Sequence, residues 1–202
     1  MDIGTFFFKA RGYIPVPFAL GMLLMPYGYS MWAPAARDRA ALFLIIGSGF
    51  FLVFLGEAVR IVSAAYSSPS TRTRNPGASF LFSGGPYAYV RNPMYIGNFL
   101  ILAGMLIMSW SGFPWYTCAC FMIFWFEYYL IIQTEEKALE RDLGGEYKEY
   151  TRNVPRIIPA LSPYGKGGRH TGYAQALKNE AHSIRTELIC IALIFVRWYV
   201  VL

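Results

Sequence analysis

Long apolar runs alternate with short polar stretches along almost the whole chain. The runs at about Tyr13 to Trp32, Ala40 to Ala65, Met94 to Trp110 and Trp115 to Ile132 each approach the ~20 residues needed to cross a hydrocarbon core. A last run, Leu188 to Leu202, makes a fifth crossing if Thr186 and Glu187 contribute. The pattern predicts an all-α, polytopic membrane protein with about five transmembrane helices in a single membrane domain, residues 1–202. Pro15, Pro17 and Pro26 bend the first span, and the mixed segment Met1 to Arg11 suits the bilayer surface. Ser111-Gly112-Phe113-Pro114 is a tight turn, so the third and fourth spans form a helical hairpin. With arms of roughly 27 Å, the second arm returns around Gln133 and brings Glu135 and Glu136 back to where the first arm began.

One stretch is not generic membrane helix. Gly84-Gly85-Pro86-Tyr87-Ala88-Tyr89-Val90-Arg91-Asn92-Pro93-Met94-Tyr95-Ile96-Gly97 stands just before the third span. Two glycines permit unusual backbone angles, and the prolines push Gly85 and Asn92 out of helical geometry. The expected result is a rigid, non-helical elbow, with Asn92 capping a helix that begins near Pro93 through its amide oxygen. Such a helix start attracts anions.

Downstream of the hairpin, Leu139, Leu143, Tyr147 and Tyr150 form one apolar stripe on a surface helix, with Gly144-Gly145 as a point of interruption. Then come Val154-Pro155-Arg156-Ile157-Ile158-Pro159, a Gly-rich turn at 165–168, and a polar stretch with His170 and His182. Residues 66–83, polar and containing Arg72 and Arg74, read as a loop outside the bilayer.

Composition strengthens the membrane reading: 55% of residues are apolar, 18% aromatic and only 15% charged. The net charge of +6 does not signal nucleic acid, because the basic residues lie between apolar runs. The flanks on the elbow side are rich in Arg and Lys and the hairpin turn has none, which places the elbow in the cytoplasm. Arg37 and Arg39 on the outer side run against that count. Cys118, Cys120 and Cys190 sit in apolar runs as packing residues, and isolated His170 and His182 give no metal site. The first apolar stretch carries prolines and no small-residue cleavage site, which argues against a cleavable signal peptide.

The elbow, with Tyr87, Tyr89 and Tyr95 as aromatic walls and Glu135-Glu136 as acidic partners, outlines a polar pocket. Helix N–H groups take a carboxylate, acidic side chains take hydroxyls and amines, and aromatic faces attract cations. S-adenosylmethionine has all these parts. In the second span, Glu57 and Arg60 are an intramembrane pair three residues apart, read either as a functional site or as a simple ion pair. Arg60, Arg152 or Arg156 could hold an anionic acceptor or lipid phosphate, and Glu57 joins Arg60 as a substrate-binding candidate.

The ordered set Gly85-Pro86-Tyr87-x-x-Val90-Arg91-Asn92-Pro93-x-Tyr95-x-Gly97, Glu135-Glu136-x-x-Leu139, Gly145-x-Tyr147-x-x-Tyr150 and Val154-Pro155-Arg156-x-Ile158-Pro159 resembles the isoprenylcysteine carboxyl methyltransferase and phospholipid methyltransferase superfamily. The resemblance covers about Leu55 to Pro159. It implies an integral membrane enzyme that binds S-adenosylmethionine at the cytoplasmic face, beneath the elbow and a covering C-terminal segment, with 84–159 as the cofactor-binding core. It makes Gly85, Pro86, Tyr87, Val90, Arg91, Asn92, Pro93, Tyr95, Gly97, Glu135 and Glu136 cofactor contacts, and Gly56-x-x-x-Arg60 the polar end of the preceding family helix. Isoprenylcysteine enzymes usually carry His where this chain has Asn92. Asn does not titrate, so no general base is expected there and no catalytic residue is singled out.

The acceptor implied is lipophilic, with membrane lipids as surroundings. Carboxyl methylation is the leading reading and phospholipid N-methylation the alternative. Outside that class stand a reductase-like membrane enzyme and a small transporter or scaffold using Glu57 and Glu127.

Overall fold

The computed structural model describes residues 3–10, 15–24, 38–67, 80–165 and 170–201. Among them every regular element is helical: α1 (Ile3–Ala10), α2 (Pro15–Leu24), α3 (Arg39–Ala65), α4 (Pro93–Ser109), α5 (Trp115–Leu143), α6 (Gly145–Asn153) and α7 (Tyr173–Val201), with one 3₁₀ turn, Gly85–Ala88, before α4. The end of the expected first span with Pro26, the loop 68–79 with Arg72 and Arg74, and Arg11, Arg37, Lys166 and Arg169 lie outside the described residues. α3 and α5 are long and apolar enough to cross a membrane, and α4 is a shorter apolar helix. Phe43, Phe51 and Phe54 on α3 and Met122, Trp125 and Phe126 on α5 are exposed. Large apolar side chains exposed along both long helices suit a protein solvated by lipid.

The fold is centred on the contact between α3 and α4. Seven-residue spacing puts Gly49 and Gly56 on one face of α3, and Gly97 and Gly104 on one face of α4. The helices run antiparallel, so Gly49 meets Gly104 and Gly56 meets Gly97. A Cβ on Gly104 would fall 2.4 Å from the Gly49 carbonyl oxygen, and one on Gly56 would fall 2.6 Å from that of Gly97. Small residues let the two backbones touch, which is how helices gain packing energy where no water is expelled.

By contrast, α5 stands off from α4 behind aromatic rings. Tyr95 and Phe99 face Tyr128 with centroids at 5.0 and 5.3 Å, and Phe99 faces Trp125 at 5.9 Å. The connection between α4 and α5 is the expected tight turn, made by Trp110 at φ 48° and Gly112 at φ 53°. Yet α4 packs far more closely on α3 than on its hairpin partner. The glycine face decides this, because rings keep backbones apart.

Two helices outrun their apolar stretches. α5 continues beyond Ile132 to Leu143, and α7 begins at Tyr173, taking in His182 and most of the expected polar stretch. Neither segment contains Gly or Pro, so no residue ends the helix where hydrophobicity does. α5 stops at Gly144, whose φ is 56°. α6 then carries Tyr147 and Tyr150 onto Leu139, Leu143 and Val154, so the stripe read from the sequence survives the break as one cluster. The expected surface segment at the N-terminus holds α1, which instead packs on α5 with Phe8 buried.

α7 is tied at both ends. Thr171 donates its N–H and hydroxyl to the Ala65 carbonyl at 2.7 and 3.0 Å, capping α3. Arg197 donates to the Ser109 carbonyl and the Ser111 hydroxyl at 2.8 and 2.6 Å, and the Trp198 indole donates to the Met108 carbonyl at 2.8 Å. Thus α7 runs from the end of α3 to the α4–α5 turn, alongside the whole of α4.

Candidate active site

Gly85 opens the elbow at φ 55°, and a Cβ on it would lie 2.4 Å from the Tyr66 ring. Both its backbone angle and its missing side chain are therefore required. The 3₁₀ turn Gly85–Ala88 is closed by Tyr87 and Tyr89 N–H groups donating to the carbonyls of Gly84 and Pro86 at 3.2 and 3.1 Å. This corrects the expectation of a wholly non-helical elbow: Pro86, the second residue of the turn Gly85–Ala88, supplies a φ that suits a 3₁₀ turn. Val90 and Pro93 are buried, while Tyr87 accepts the Tyr150 hydroxyl on its carbonyl at 2.6 Å.

Asn92 precedes α4 at φ −125° and ψ 54°, outside helical space as expected before Pro93. Its side chain makes no cap hydrogen bond. Instead its Nδ2 donates to Glu136 Oε1 at 3.3 Å and to the Arg156 carbonyl at 3.2 Å. The amide N–H finds in the Glu136 carboxylate a stronger acceptor than a neutral oxygen, and this turns the side chain toward α5.

Glu136 is the hub. Its Oε2 accepts Arg156 Nη2 at 2.6 Å and Nε at 3.0 Å, and its Oε1 lies 3.4 Å from Arg91 Nη1. Only 8% of the residue is exposed. The segment after α6 brings Arg156 here by crossing the elbow: Arg91 N–H donates to the Pro155 carbonyl at 2.9 Å, Ala160 N–H to Tyr89 at 2.8 Å, and Tyr164 N–H to Ala88 at 2.9 Å.

Beside the hub is a cavity of about 380 Å³, whose lining includes Arg91, Gln133, Glu136, Lys137, Tyr147 and Arg156. Its size is at the lower end of the ~300–1,000 Å³ usual for small-molecule sites. Arg91 keeps a buried Nε–H without a protein hydrogen-bond partner. Burial and the nearby Glu136 carboxylate push the Tyr147 hydroxyl pKa upward, so it remains a proton-bearing donor through neutral pH. The donors and acceptors on this wall match a zwitterionic, hydroxyl-bearing ligand, and S-adenosylmethionine fits that description.

Of the residues singled out from the sequence, the fold gathers Arg91, Asn92, Glu136 and Arg156. Glu135, about 100° around α5 from Glu136, is half-buried and does not line this cavity. The expected walls Tyr87, Tyr89 and Tyr95 do not line it either, and Tyr147 does. Gly97 serves the helix contact and receives the Arg60 stem, whose Cγ would be 2.6 Å from a Cβ there. Arg152 is exposed on α6.

Glu57 and Arg60 belong to a second polar centre. Their Nε–Oε2 separation is 3.6 Å, which bears out the pairing read from their spacing. Arg60 also bonds Glu180, lies 3.6 Å from Glu187, and donates to Asn98 Oδ1 at 2.9 Å. Sequence reading missed Glu180 and Glu187. Stepping back from Trp198, Ile194 and Ile191 at helical spacing lands on Glu187, Glu180 and Ala176, the same face of α7, and that periodicity was the available signal. Among the described residues no cluster of His, Cys, Asp and Glu could hold a metal ion.

The family model described as phospholipid methyltransferase matches residues 39–146. Cobalt-zinc-cadmium resistance protein CzcN of Cupriavidus metallidurans is 31% identical over 151 residues, 75% of this chain and 63% of that protein. Methanethiol S-methyltransferase of Crocosphaera subtropica is 36% identical over 75 residues, 37% of this chain and 28% of that protein. Protein-S-isoprenylcysteine O-methyltransferase of Schizosaccharomyces pombe is 34% identical over 83 residues, 40% of this chain and 34% of that protein. The chain thus spans less than two thirds of the length of each of these relatives, and no solved structure matches it. With more than half its length covered by the family model, from the start of α3 through the hub on α5, this chain belongs to the phospholipid methyltransferase family.

Proposed function

We propose that the chain is an integral membrane methyltransferase that uses S-adenosylmethionine to methylate a lipophilic acceptor, in the manner of the isoprenylcysteine carboxyl methyltransferases. The observation that carries this reading is the Glu136 hub, where elbow, α5 and the C-terminal segment meet beside one polar cavity. Two relatives bearing methyltransferase names match within this chain, which supports the same reading.

Five crossings fit the fold: α2, α3, α4, α5 and α7, with the cavity at the cytoplasmic end. α7 supports the fifth, since it runs alongside α4 from Thr171 at the end of α3 to Arg197 at the opposite turn. The basic residues around the cavity support the orientation.

When bound, S-adenosylmethionine supplies a methyl group already activated by its sulfonium. The protein's part is to position and to exclude water. Arg91, with its unpartnered Nε–H, and Arg156 would hold a carboxylate; Glu136 and Gln133 would take amine and hydroxyl groups. Asn92 keeps Glu136 in place without titrating. The acceptor approaches sideways from the bilayer toward α4.

Calorimetry on the detergent-purified chain with S-adenosylhomocysteine tests the reading. Binding that is lost in Glu136→Gln with the fold retained is expected, and no binding by folded wild type would overturn it.

Phospholipid N-methylation is the second reading. Around Arg60, three carboxyl groups face one guanidinium, leaving acceptors in excess of donors, and such a centre receives an amine headgroup better than a carboxylate. Methyl label that resists base and appears in choline-type lipids selects this reading; base-labile label selects the ester.

A further inference from the structure

The segment after α6 carries apolar side chains that stand exposed among the described residues. Ile158 is 80% exposed and Leu161 fully exposed, with Pro159 and Pro163 exposed beside them. The segment is pinned to the elbow by the Ala160–Tyr89 and Tyr164–Ala88 backbone hydrogen bonds, at 2.8 and 2.9 Å. Tyr89 is also partly exposed. A pinned segment cannot hide these side chains by collapsing onto the fold.

Its depth follows from α4. That helix has 17 residues, about 25 Å of rise, against a hydrocarbon core of about 30 Å. The elbow immediately before Pro93 therefore sits at the edge of the hydrocarbon, and whatever is hydrogen-bonded to Ala88 and Tyr89 sits at headgroup level. Arg152, exposed at the end of α6, adds positive charge just ahead of the segment. Apolar tips beside a basic residue at that depth match the composition of an interfacial anchor.

We propose that residues 157–163 form a membrane-inserted lip, with Ile158 and Leu161 dipping into the leaflet on the cavity side and Arg152 facing its anionic headgroups. The partner is the bilayer itself. The inference rests on α4 crossing the bilayer, as proposed above, and stands whatever reaction the cavity serves.

Fluorescence quenching by lipids with a spin label high on the acyl chain tests it in proteoliposomes containing anionic phospholipid. With Cys118, Cys120 and Cys190 replaced by Ser, single cysteines are placed at Leu161, at lipid-facing Leu44 and at exposed Glu146 on α6, and each is labelled with the same environment-sensitive dye. Quenching at position 161 that follows position 44, with about half the emission lost, is expected for an inserted group. Quenching that follows position 146, with ready access to aqueous iodide, overturns the proposal. A phospholipid carrying a diazirine near its glycerol applies the same test to the unmodified chain. Crosslinks on the 157–163 peptide are expected, and their absence while α3 is crosslinked overturns the proposal.

Discussion

Asn92 and Glu136 lie 44 residues apart in the chain, yet the amide of one donates to the carboxylate of the other at 3.3 Å. One residue ends the elbow and the other sits about six turns along α5, the helix that returns to the elbow's side after α4 has left it. Their contact joins the two halves of the candidate site. It also explains why Asn92 leaves α4 without a side-chain cap.

Glu136→Gln should loosen the hub. Arg91 and Arg156 would lose their shared carboxylate, and breaking such a partly buried pair from one side costs about 2–4 kcal/mol. Thermal unfolding in detergent should show the loss, and calorimetry should show S-adenosylhomocysteine affinity falling by at least about tenfold. Asn92→Ala, which removes neutral hydrogen bonds, should cost only about 1 kcal/mol. Equal losses for the two variants would contradict the assignment of Glu136 as hub.

The glycine contact predicts opposite signs for one substitution. Gly104→Ala pushes a Cβ to 2.4 Å from the Gly49 carbonyl oxygen, a backbone atom that cannot swing aside, so α3 and α4 must separate and the melting temperature must fall. Gly47→Ala meets nothing within 4 Å on an exposed face of the same helix pair. It should be neutral or stabilise, by up to about 1 kcal/mol of helix propensity.

At the second polar centre, Arg60 and Glu180 should be strongly unequal. Arg60→Met leaves Glu57, Glu180 and Glu187 buried together without a cation, at about 3–5 kcal/mol. Glu180→Gln leaves Arg60 with two carboxylates and Asn98, and should cost less. A double-mutant cycle on unfolding free energies should return a coupling of at least about 1 kcal/mol; a coupling near zero would show that the pair contributes nothing.

Arg197→Ala should release the far end of α7. It removes charge-assisted bonds to the Ser109 carbonyl and the Ser111 hydroxyl, worth about 1.5–3 kcal/mol together. Hydrogen exchange should rise at the α4–α5 turn and the last turns of α7, with the Glu136 hub unchanged.

Much of the architecture was legible because membrane helices announce themselves by length. Ala40 to Ala65 and Trp115 onward are helices in the structure, Pro93 does begin α4, and Asn92 and Gly85 do leave helical space, since a proline acts on its immediate neighbours through local sterics. The return of Glu136 to the elbow followed from two similar rises joined by a short turn. The extents of α5 and α7 were misread because hydrophobicity marks what is buried or in lipid, while a helix ends where a breaker such as Gly144 stands.

What the chain alone determined, then, is whatever depends on neighbours in sequence: which segments are helical and apolar, where the backbone must kink, and which glycines share a face with their own helix. Tertiary structure decided the rest. Glu136 rather than Glu135 meets Asn92 because the rotation of α5 about its axis is set by the aromatic stack of Tyr128 on Tyr95 and Phe99. Arg60 finds Glu180 and Glu187 because α7 docks beside α3 after more than a hundred residues. Charges that far apart carry no local signature, since their pairing depends on distances in space that no spacing along the chain records.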